Sequence, residues 1–268
     1  MQKKITFIAG FIFPVIFIMI TGLQTMAQSG GPWNGKQCAV VLTYDDALNV
    51  HLDNAIPSLD SLGLRATFYL SAYFPGSAKR MDEWKAASNK GHELGNHTLF
   101  HPCDGRGPGR EWVSAERDLS KYSVQRMVEE IRMTNVFLKS LDGKDRRTFA
   151  YPCGDTQVGD SSYVQPITSD FVAARIVKNE LASSTVDLFT VPSYMVNGES
   201  GEEMISWVQQ AMKEKKLLVI LFHGVGGEHA LNVDLREHRK LLAFLKKNEG
   251  SIWIAPMVEV ADFIRTKK

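Results

Sequence analysis

Ala39-Val40-Val41-Leu42-Thr43-Tyr44 is a near-continuous apolar run, and it ends on two adjacent acids, Asp45-Asp46. A strand buried on both faces reads this way, which points to a parallel sheet covered by helices. Farther on stand two histidines in Gly95-Asn96-His97-Thr98-Leu99-Phe100-His101-Pro102. Two imidazoles and one carboxylate form an open three-ligand set suited to a catalytic divalent metal. The second carboxylate is then free to act as a general base, and the combination points to metal-assisted hydrolysis.

Further runs that read as strands cover residues 66–70, 93–96, 148–151, 171–174, 217–222 and 251–255. Between them lie amphipathic stretches: Val124, Met127, Val128, Ile131 and Leu138; Met204, Ile205, Val208 and Met212; Leu235, Leu241, Leu242 and Leu245. Each set recurs at helical spacing. Strand–helix alternation implies an α/β fold. The polar groups fall at one end of it. Asp45-Asp46 follows the first run, His97 follows 93–96, Pro152-Cys153-Gly154 follows 148–151, and His223 follows 217–222. The C-terminal ends of the strands form the catalytic face of an α/β barrel. Residues 102–117, rich in Gly and charge and carrying Trp112, and residues 153–170 read as loops on that face that shape a substrate groove.

The start of the chain reads as a secretory signal peptide over 1–27. It has a basic Lys3-Lys4, a mostly apolar stretch over 5–20, and small residues in Thr25-Met26-Ala27 before Gln28. An uncleaved anchor is the alternative, though the stretch is near the lower limit for a span. No cysteine stands at the cleavage point, which argues against a lipoprotein. Residues 28–268 then form one domain, long enough for a large core. Lys3 and Lys4 are the leader's only charges, so the remaining 29 basic and 30 acidic residues nearly cancel. Nothing steers toward nucleic acid, and a neutral glycan is an acceptable partner. No Gly-rich phosphate loop precedes a helix, which excludes the common phosphoryl-transfer signature. Three cysteines, Cys38, Cys103 and Cys153, allow one disulfide whose pairing the sequence leaves open. For Cys103 and Cys153 a small packed side chain is favoured over a zinc ligand, since no Cys-x-x-Cys spacing exists.

These residues resemble the polysaccharide deacetylase family, also called the NodB-homology domain or carbohydrate esterase family 4, over roughly residues 38–264. The family's Thr-Phe-Asp-Asp-Gly is matched by Thr43-Tyr44-Asp45-Asp46-Ala47, and its His-Ser/Thr-x-x-His by His97-Thr98-Leu99-Phe100-His101. The second match is preceded by Gly91-His92-Glu93-Leu94-Gly95-Asn96. The resemblance implies a distorted (β/α) barrel of about seven strands, with Asp46, His97 and His101 as metal ligands and Asp45 as catalytic base. Zinc is the metal it implies, and several divalent ions can serve. The family's Arg-x-Pro-Tyr/Phe-Gly corresponds to Ala150-Tyr151-Pro152-Cys153-Gly154, so Ala150 stands where an arginine normally orients the catalytic aspartate. Arg175, after the 171–174 run, is one substitute. Arg147 is another, but it would have to reach back along its own strand. The Cys153 N–H is the implied oxyanion donor, independent of its side chain. Leu221-Phe222-His223 matches the family's Leu-x-His and makes His223 the general acid. The motif that supplies its partner is not recognisable, and Asp187 is a weak candidate.

Against these stand plainer readings. An isolated Asp-Asp is commonly a solvated turn, and a lone histidine closing an apolar strand is commonly a core group; the joint pattern outweighs both. His92 reads as structural, His51 and His238 as helix-surface residues, and His229 as a surface loop residue, though its place just after His223 would also let it line the groove. Trp112 reads equally as a sugar-stacking platform or a loop anchor. Tyr151, Pro152 and Arg175 are further candidates for contact with substrate. The expected reaction is removal of acetyl from a carbohydrate, first an amino-sugar polymer or oligomer of peptidoglycan- or chitin-like kind. An O-deacetylase such as an acetylxylan esterase is the alternative. A non-catalytic glycan-binding member of the fold is the third, favoured only by the missing arginine. Export to the periplasm or outside the cell is expected.

Overall fold

The computed structural model describes residues 1–2 and 31–267. Apart from residues 1–2, the predicted leader and its cleavage point lie outside the described residues. Among the described residues no helix is long and apolar enough to cross a membrane.

Among the described residues twelve strands occur in chain order: β1 (Cys38–Asp45), β2 (Thr67–Leu70), β3 (Glu93–Asn96), β4 (Phe149–Ala150), β5 (Gln157–Val158), β6 (Ser161–Ser162), β7 (Ala174–Arg175), β8 (Tyr194–Met195), β9 (Leu217–Phe222), β10 (Gly224–Val225), β11 (Asn232–Val233) and β12 (Ile252–Ile254). The main sheet runs β7-β4-β3-β2-β1-β9-β8 with every neighbouring pair parallel. β12 pairs with the first half of β1 where β2 pairs with the second. The free edge of β7 is covered by the segment leading into β8. Ala174 N–H donates to Leu188 O, Ile176 N–H to Val191 O and Lys178 N–H to Ser193 O. The sheet therefore curls round on itself into the distorted barrel of about seven strands that the sequence implies, in a single domain. The expected strand at 171–174 is displaced to Ala174–Arg175, and β8 is too short to be read from sequence.

The helices are α1 (Ile56–Asp60), α2 (Pro75–Lys79), α3 (Met81–Asn89), α4 (Val124–Asp142), α5 (Val164–Ile167), α6 (Gly201–Glu214), α7 (Leu235–Lys247) and α8 (Met257–Thr266). Side-chain caps set the starts of the long ones. Ser123 Oγ accepts from Arg126 N–H before α4, Ser200 and Glu203 form a capping box before α6, and Asp234 accepts from Arg236 N–H before α7.

β1 decides the packing. Val40, Leu42 and Tyr44 face outward into the core with Met204, Val208, Leu241, Leu242 and Leu245 of α6 and α7. Ala39 and Val41 face inward with Met257, Val260, Ala261 and Ile264 of α8, which plugs the lower end of the barrel. The next inward positions are Thr43, whose hydroxyl donates to Ile220 O, and Asp45. The barrel interior thus changes from apolar to polar toward the strand C-termini. Glu93, the first residue of β3, lies buried on the α8 side of the interior. It accepts from Thr67 Oγ1, from Thr148 N–H and Oγ1, and from Val258 N–H at the first turn of α8. Gly95 leaves room for Tyr69, since a Cβ there would sit 2.4 Å from Tyr69 Cδ1.

His51 and His238 do not lie on helix surfaces as expected; both are fully buried. Tyr44 Oη contacts His238 Nε2 at 2.7 Å, and His51 Nε2 donates to His223 O at 2.7 Å. Burial lowers His238 to about 3 and His51 to about 4. Below pH 6.5 the unfolded chain binds protons that the native chain refuses, so stability falls as pH falls. By pH 4 each residue is expected to remove about 3 kcal/mol, since each of the roughly 2.5 pH units below 6.5 costs about 1.36 kcal/mol. Denaturant titrations from pH 7 to pH 4 check this, and His238→Gln should flatten the slope.

Candidate active site

Strand alternation carries Asp45 into the barrel, and the same alternation would turn Asp46 outward. The backbone prevents this. Asp46 (φ 78°) and Ala47 (φ 51°) both adopt the left-handed region, which folds Asp46 back beside Asp45. Thr98 (φ 68°) and His101 (φ 55°) do the same for the histidine loop, as does Cys153 (φ 55°) for the turn after β4. Non-glycine residues in this region are strained, and such strain gathers at functional sites. Asn96 anchors the histidine loop: its Nδ2 donates to Ile131 O of α4, and its Oδ1 accepts from Thr98 N–H.

Asp46 Oδ1 lies 3.6 Å from His97 Nε2 and 3.4 Å from His101 Nε2. Ligand atoms of these three residues all lie within 4.8 Å of one another. His97 Nδ1 is 2.8 Å from Ala150 O, so it carries the proton there and leaves Nε2 as a free lone pair facing Asp46. Burial lowers His97 to about 4, which keeps the imidazole neutral near pH 7. Burial alone would raise Asp46, but His101, His97, His223 and His229 outweigh it and hold the carboxyl at about 2. Asp46 Oδ1 is buried and has no hydrogen-bond partner among the described residues. An orphaned carboxylate oxygen facing two imidazole nitrogens fits a divalent ion.

Asp45 Oδ2 lies 3.6 Å from His97 Nε2. Arg175 Nη2 donates to both Asp45 oxygens, at 2.6 Å to Oδ1. Arg175 is fully buried, with its Cζ 5.1 Å from the Tyr69 ring centroid. In the sheet register Arg175 on β7 is the direct partner of Ala150 on β4. The guanidinium therefore reaches Asp45 from the strand next to the one that carries Ala150. Arg175 is enclosed behind Asp45, so it is not a wall of the cavity. Arg147 points away and pairs with Asp142.

The cavity above these groups has a volume of ≈310 Å³ and is walled by Asp45, Asp46, His97, His101, His223 and His229, with Trp112, Tyr151, Cys153 and several apolar side chains completing it. Pro152 is buried and does not line it. The Cys153 N–H makes no hydrogen bond to the described backbone, whereas Gly154 N–H donates to Tyr151 O and Asp155 N–H to Pro152 O. Cys153 is joined to Cys103 in a disulfide with Cα atoms 5.8 Å apart. This is the one disulfide that the sequence allowed without giving its pairing, and it removes both sulfurs as ligands although they lie near His101. Cys38 is free and buried.

His223 Nε2 lies 4.0 Å from Asp46 Oδ2. Its Nδ1 is buried without a partner among the described residues. Asp187 does not serve it, since that carboxylate accepts from Phe189 N–H and Thr190 Oγ1. Burial lowers the His223 pKa, with Asp45 and Asp46 opposing. His229 is a cavity wall rather than a plain surface residue. Its ring stacks on His223 at 4.8 Å and 13°, and its Nε2 is 4.0 Å from Asp46 Oδ2. Leu231 N–H donates to His229 Nδ1, and Glu228 ties the loop down by accepting from Asn49 Nδ2 and Val50 N–H. Trp112 is 64% exposed at the rim.

Residues 34–164 match the family model described as polysaccharide deacetylase. The uncharacterized protein YlxY of Bacillus subtilis (strain 168) is 27% identical over 106 residues, which is 40% of this chain; the match spans 28% of the length of that curated relative. Among solved structures, a Mycobacterium smegmatis protein assigned to the polysaccharide deacetylases superposes with a TM-score of 0.62 at 13% identity, over 87% of this chain and 92% of that one. A family 4 acetyl xylan esterase from Clostridium thermocellum, in complex with a cobalt ion, gives a TM-score of 0.55 at 16% identity, over 84% and 91%. At these identities the structural likeness is one of fold.

Proposed function

We propose that the chain, whose residues 34–164 match the polysaccharide deacetylase family model, is a member of that family and hydrolyses acetyl groups from a glycan, first the N-acetyl groups of an amino-sugar polymer or oligomer of peptidoglycan- or chitin-like kind. The observation that carries this is Asp45, gripped by a buried arginine beside the Asp46–His97–His101 cluster on the cavity floor. A glycan-binding module has no use for a carboxylate held this way. With Arg175 present, the absence of an arginine at Ala150 no longer favours a binding-only protein.

Asp46, His97 and His101 would hold the ion, which supplies Lewis-acid polarisation of the acetyl carbonyl and eases deprotonation of water. Arg175 fixes the Asp45 carboxylate, and Asp45 accepts the proton of the attacking water. The Cys153 N–H, free of other acceptors, donates to the developing oxyanion. His223 Nε2 protonates the leaving amine. Amide cleavage needs that proton more than ester cleavage does, because an amine anion is the poorer leaving group. Zinc is the first choice of ion, and the cobalt bound by the Clostridium relative makes cobalt the second to try. Export is part of the proposal, consistent with a disulfide between Cys103 and Cys153.

The test is acetate release by metal-loaded protein from a panel of N- and O-acetylated glycans, beside Asp45→Asn. Release from N-acetylated chains by the wild type alone is the expected result. Release only from O-acetylated glycans would move the assignment to an esterase. No release from any substrate, with metal bound and the fold intact, would overturn the reading.

A further inference from the structure

Trp112 stands between two hollows. On one side is the ≈310 Å³ cavity that holds Asp45 and the histidines. On the other is a hollow of ≈470 Å³ lined by Phe74, Val113, Glu116 and Arg117, and both hollows share His101 and Trp112. The disulfide joins them as well, with Cys103 in the outer hollow and Cys153 in the inner. The loop that builds the outer hollow is held firmly. Arg110 pairs with Asp155 and donates to Cys153 O, Cys103 N–H donates to Arg117 O, and Leu119 N–H donates to Cys103 O.

Glu116 and Arg117 are the two opposite charges that line this hollow, yet they are not in direct contact. Arg106, Arg110 and Arg126 nearby each face a carboxylate. The half-buried Arg117 has no carboxylate within ion-pair distance among the described residues, Glu116 included. Its Cζ lies 5.6 Å from the ring centroid of Tyr73, which is 59% exposed and braced edge-on by Phe100 at 5.1 Å. An unpaired guanidinium set against an aromatic face, beside an exposed indole, offers a planar two-point donor next to a stacking surface for a sugar ring. A single fork with Glu116 on the same wall suits one planar monoanion better than a dianion.

The geometry points to a second glycan subsite in the outer hollow, where Arg117 binds the carboxylate of the sugar unit next to the one being deacetylated. The substrate class is then an acidic glycan in which an N-acetylated unit adjoins a carboxylate-bearing one. The inference rests on the deacetylase reading for what occupies the inner cavity. The carboxylate has two chemical sources, a hexuronic acid or a lactyl ether on a hexosamine.

The experiment measures equilibrium binding to the metal-loaded chain in the Asp45→Asn background, which prevents turnover. The probes are two tetrasaccharides, one alternating N-acetylhexosamine with hexuronic acid and one alternating it with a lactyl-ether hexosamine, each beside its carboxyl-reduced form. At least one acidic probe is expected to bind tenfold or more tightly than its reduced form, and that probe identifies the source. Arg117→Gln should erase the difference and change binding of the reduced form by less than twofold, while Arg117→Lys should keep part of it. Equal binding of acidic and reduced probes, no binding of any probe, or equal losses on both in Arg117→Gln would each overturn the subsite. Acetate release by the wild type is read separately. Carboxylate-dependent binding without release from any substrate keeps the subsite and sinks the deacetylase reading, and release indifferent to the carboxylate does the reverse.

Discussion

Arg175→Met is expected to lose about 3–5 kcal/mol of stability and at least a hundredfold in acetate release. The guanidinium is fully buried and reaches both oxygens of Asp45, which is itself nearly inaccessible to water. Removing one partner of a buried ion pair leaves the other as an uncompensated charge, and that is the costly half of the exchange. The same substitution frees the proposed base to rotate away from His97, so the activity loss should appear in kcat rather than KM. Adding Asp45→Asn to Arg175→Met removes the stranded charge and should restore most of the stability with none of the activity. A relocation tests the geometry directly. Because Ala150 and Arg175 are register partners on β4 and β7, Arg175→Ala combined with Ala150→Arg should recover part of what Arg175→Ala alone loses. Urea unfolding and acetate assays on the same preparations check all three. Arg175→Met stability within 1 kcal/mol of wild type would refute the ion-pair account.

His97→Ala is expected to abolish stoichiometric metal binding and to lower activity by on the order of a thousandfold, since both Lewis-acid and orienting effects depend on the ion. His97 is the residue to remove because its Nε2 faces Asp46 while its Nδ1 is fixed on Ala150 O. Its depressed pKa means that the ion displaces no proton from it at neutral pH. In the wild type, ion at about a hundred times its dissociation constant should add about 2.7 kcal/mol. For a chain of this size that raises Tm by roughly 5–10 °C. His97→Ala should show no such rise. Thermal melts with and without zinc, with metal content measured after desalting, check this. An equal rise in His97→Ala would place the ion elsewhere.

The strands with continuous apolar sequence were legible without coordinates, and so was the face on which Asp45, Asp46, His97 and His223 gather. That face follows from strand ends alone. Arg175 was only half legible, since reading its strand as 171–174 set it just past the edge, whereas pairing at Ala174–Arg175 makes it a strand residue opposite Ala150. The Cys103–Cys153 pairing needed a distance that no spacing supplies. His238 did leave a signal. It stands on the same helical stripe as Leu241, Leu242 and Leu245, and the periodicity put it in the core where chemical type suggested surface. His229 left only its nearness to His223, because its position over the site depends on the β10–β11 pairing and the Glu228 tether.

The left-handed residues Asp46, Ala47, Thr98, His101 and Cys153 have a consequence for how the molecule opens. Each holds the chain in a conformation costing on the order of 1–3 kcal/mol, and together they lie in turns around the cavity rather than in the barrel wall. Local unfolding starts where such costs concentrate. Among backbone amides of equal burial, those of residues 46–49 and 97–103 should therefore exchange with deuterium before those of β1 and β9. Without its ion the protein should also be nicked first in these turns by a protease. Ion binding would then act as a latch on the backbone as well as a source of chemistry, slowing exchange at the turns that carry its ligands.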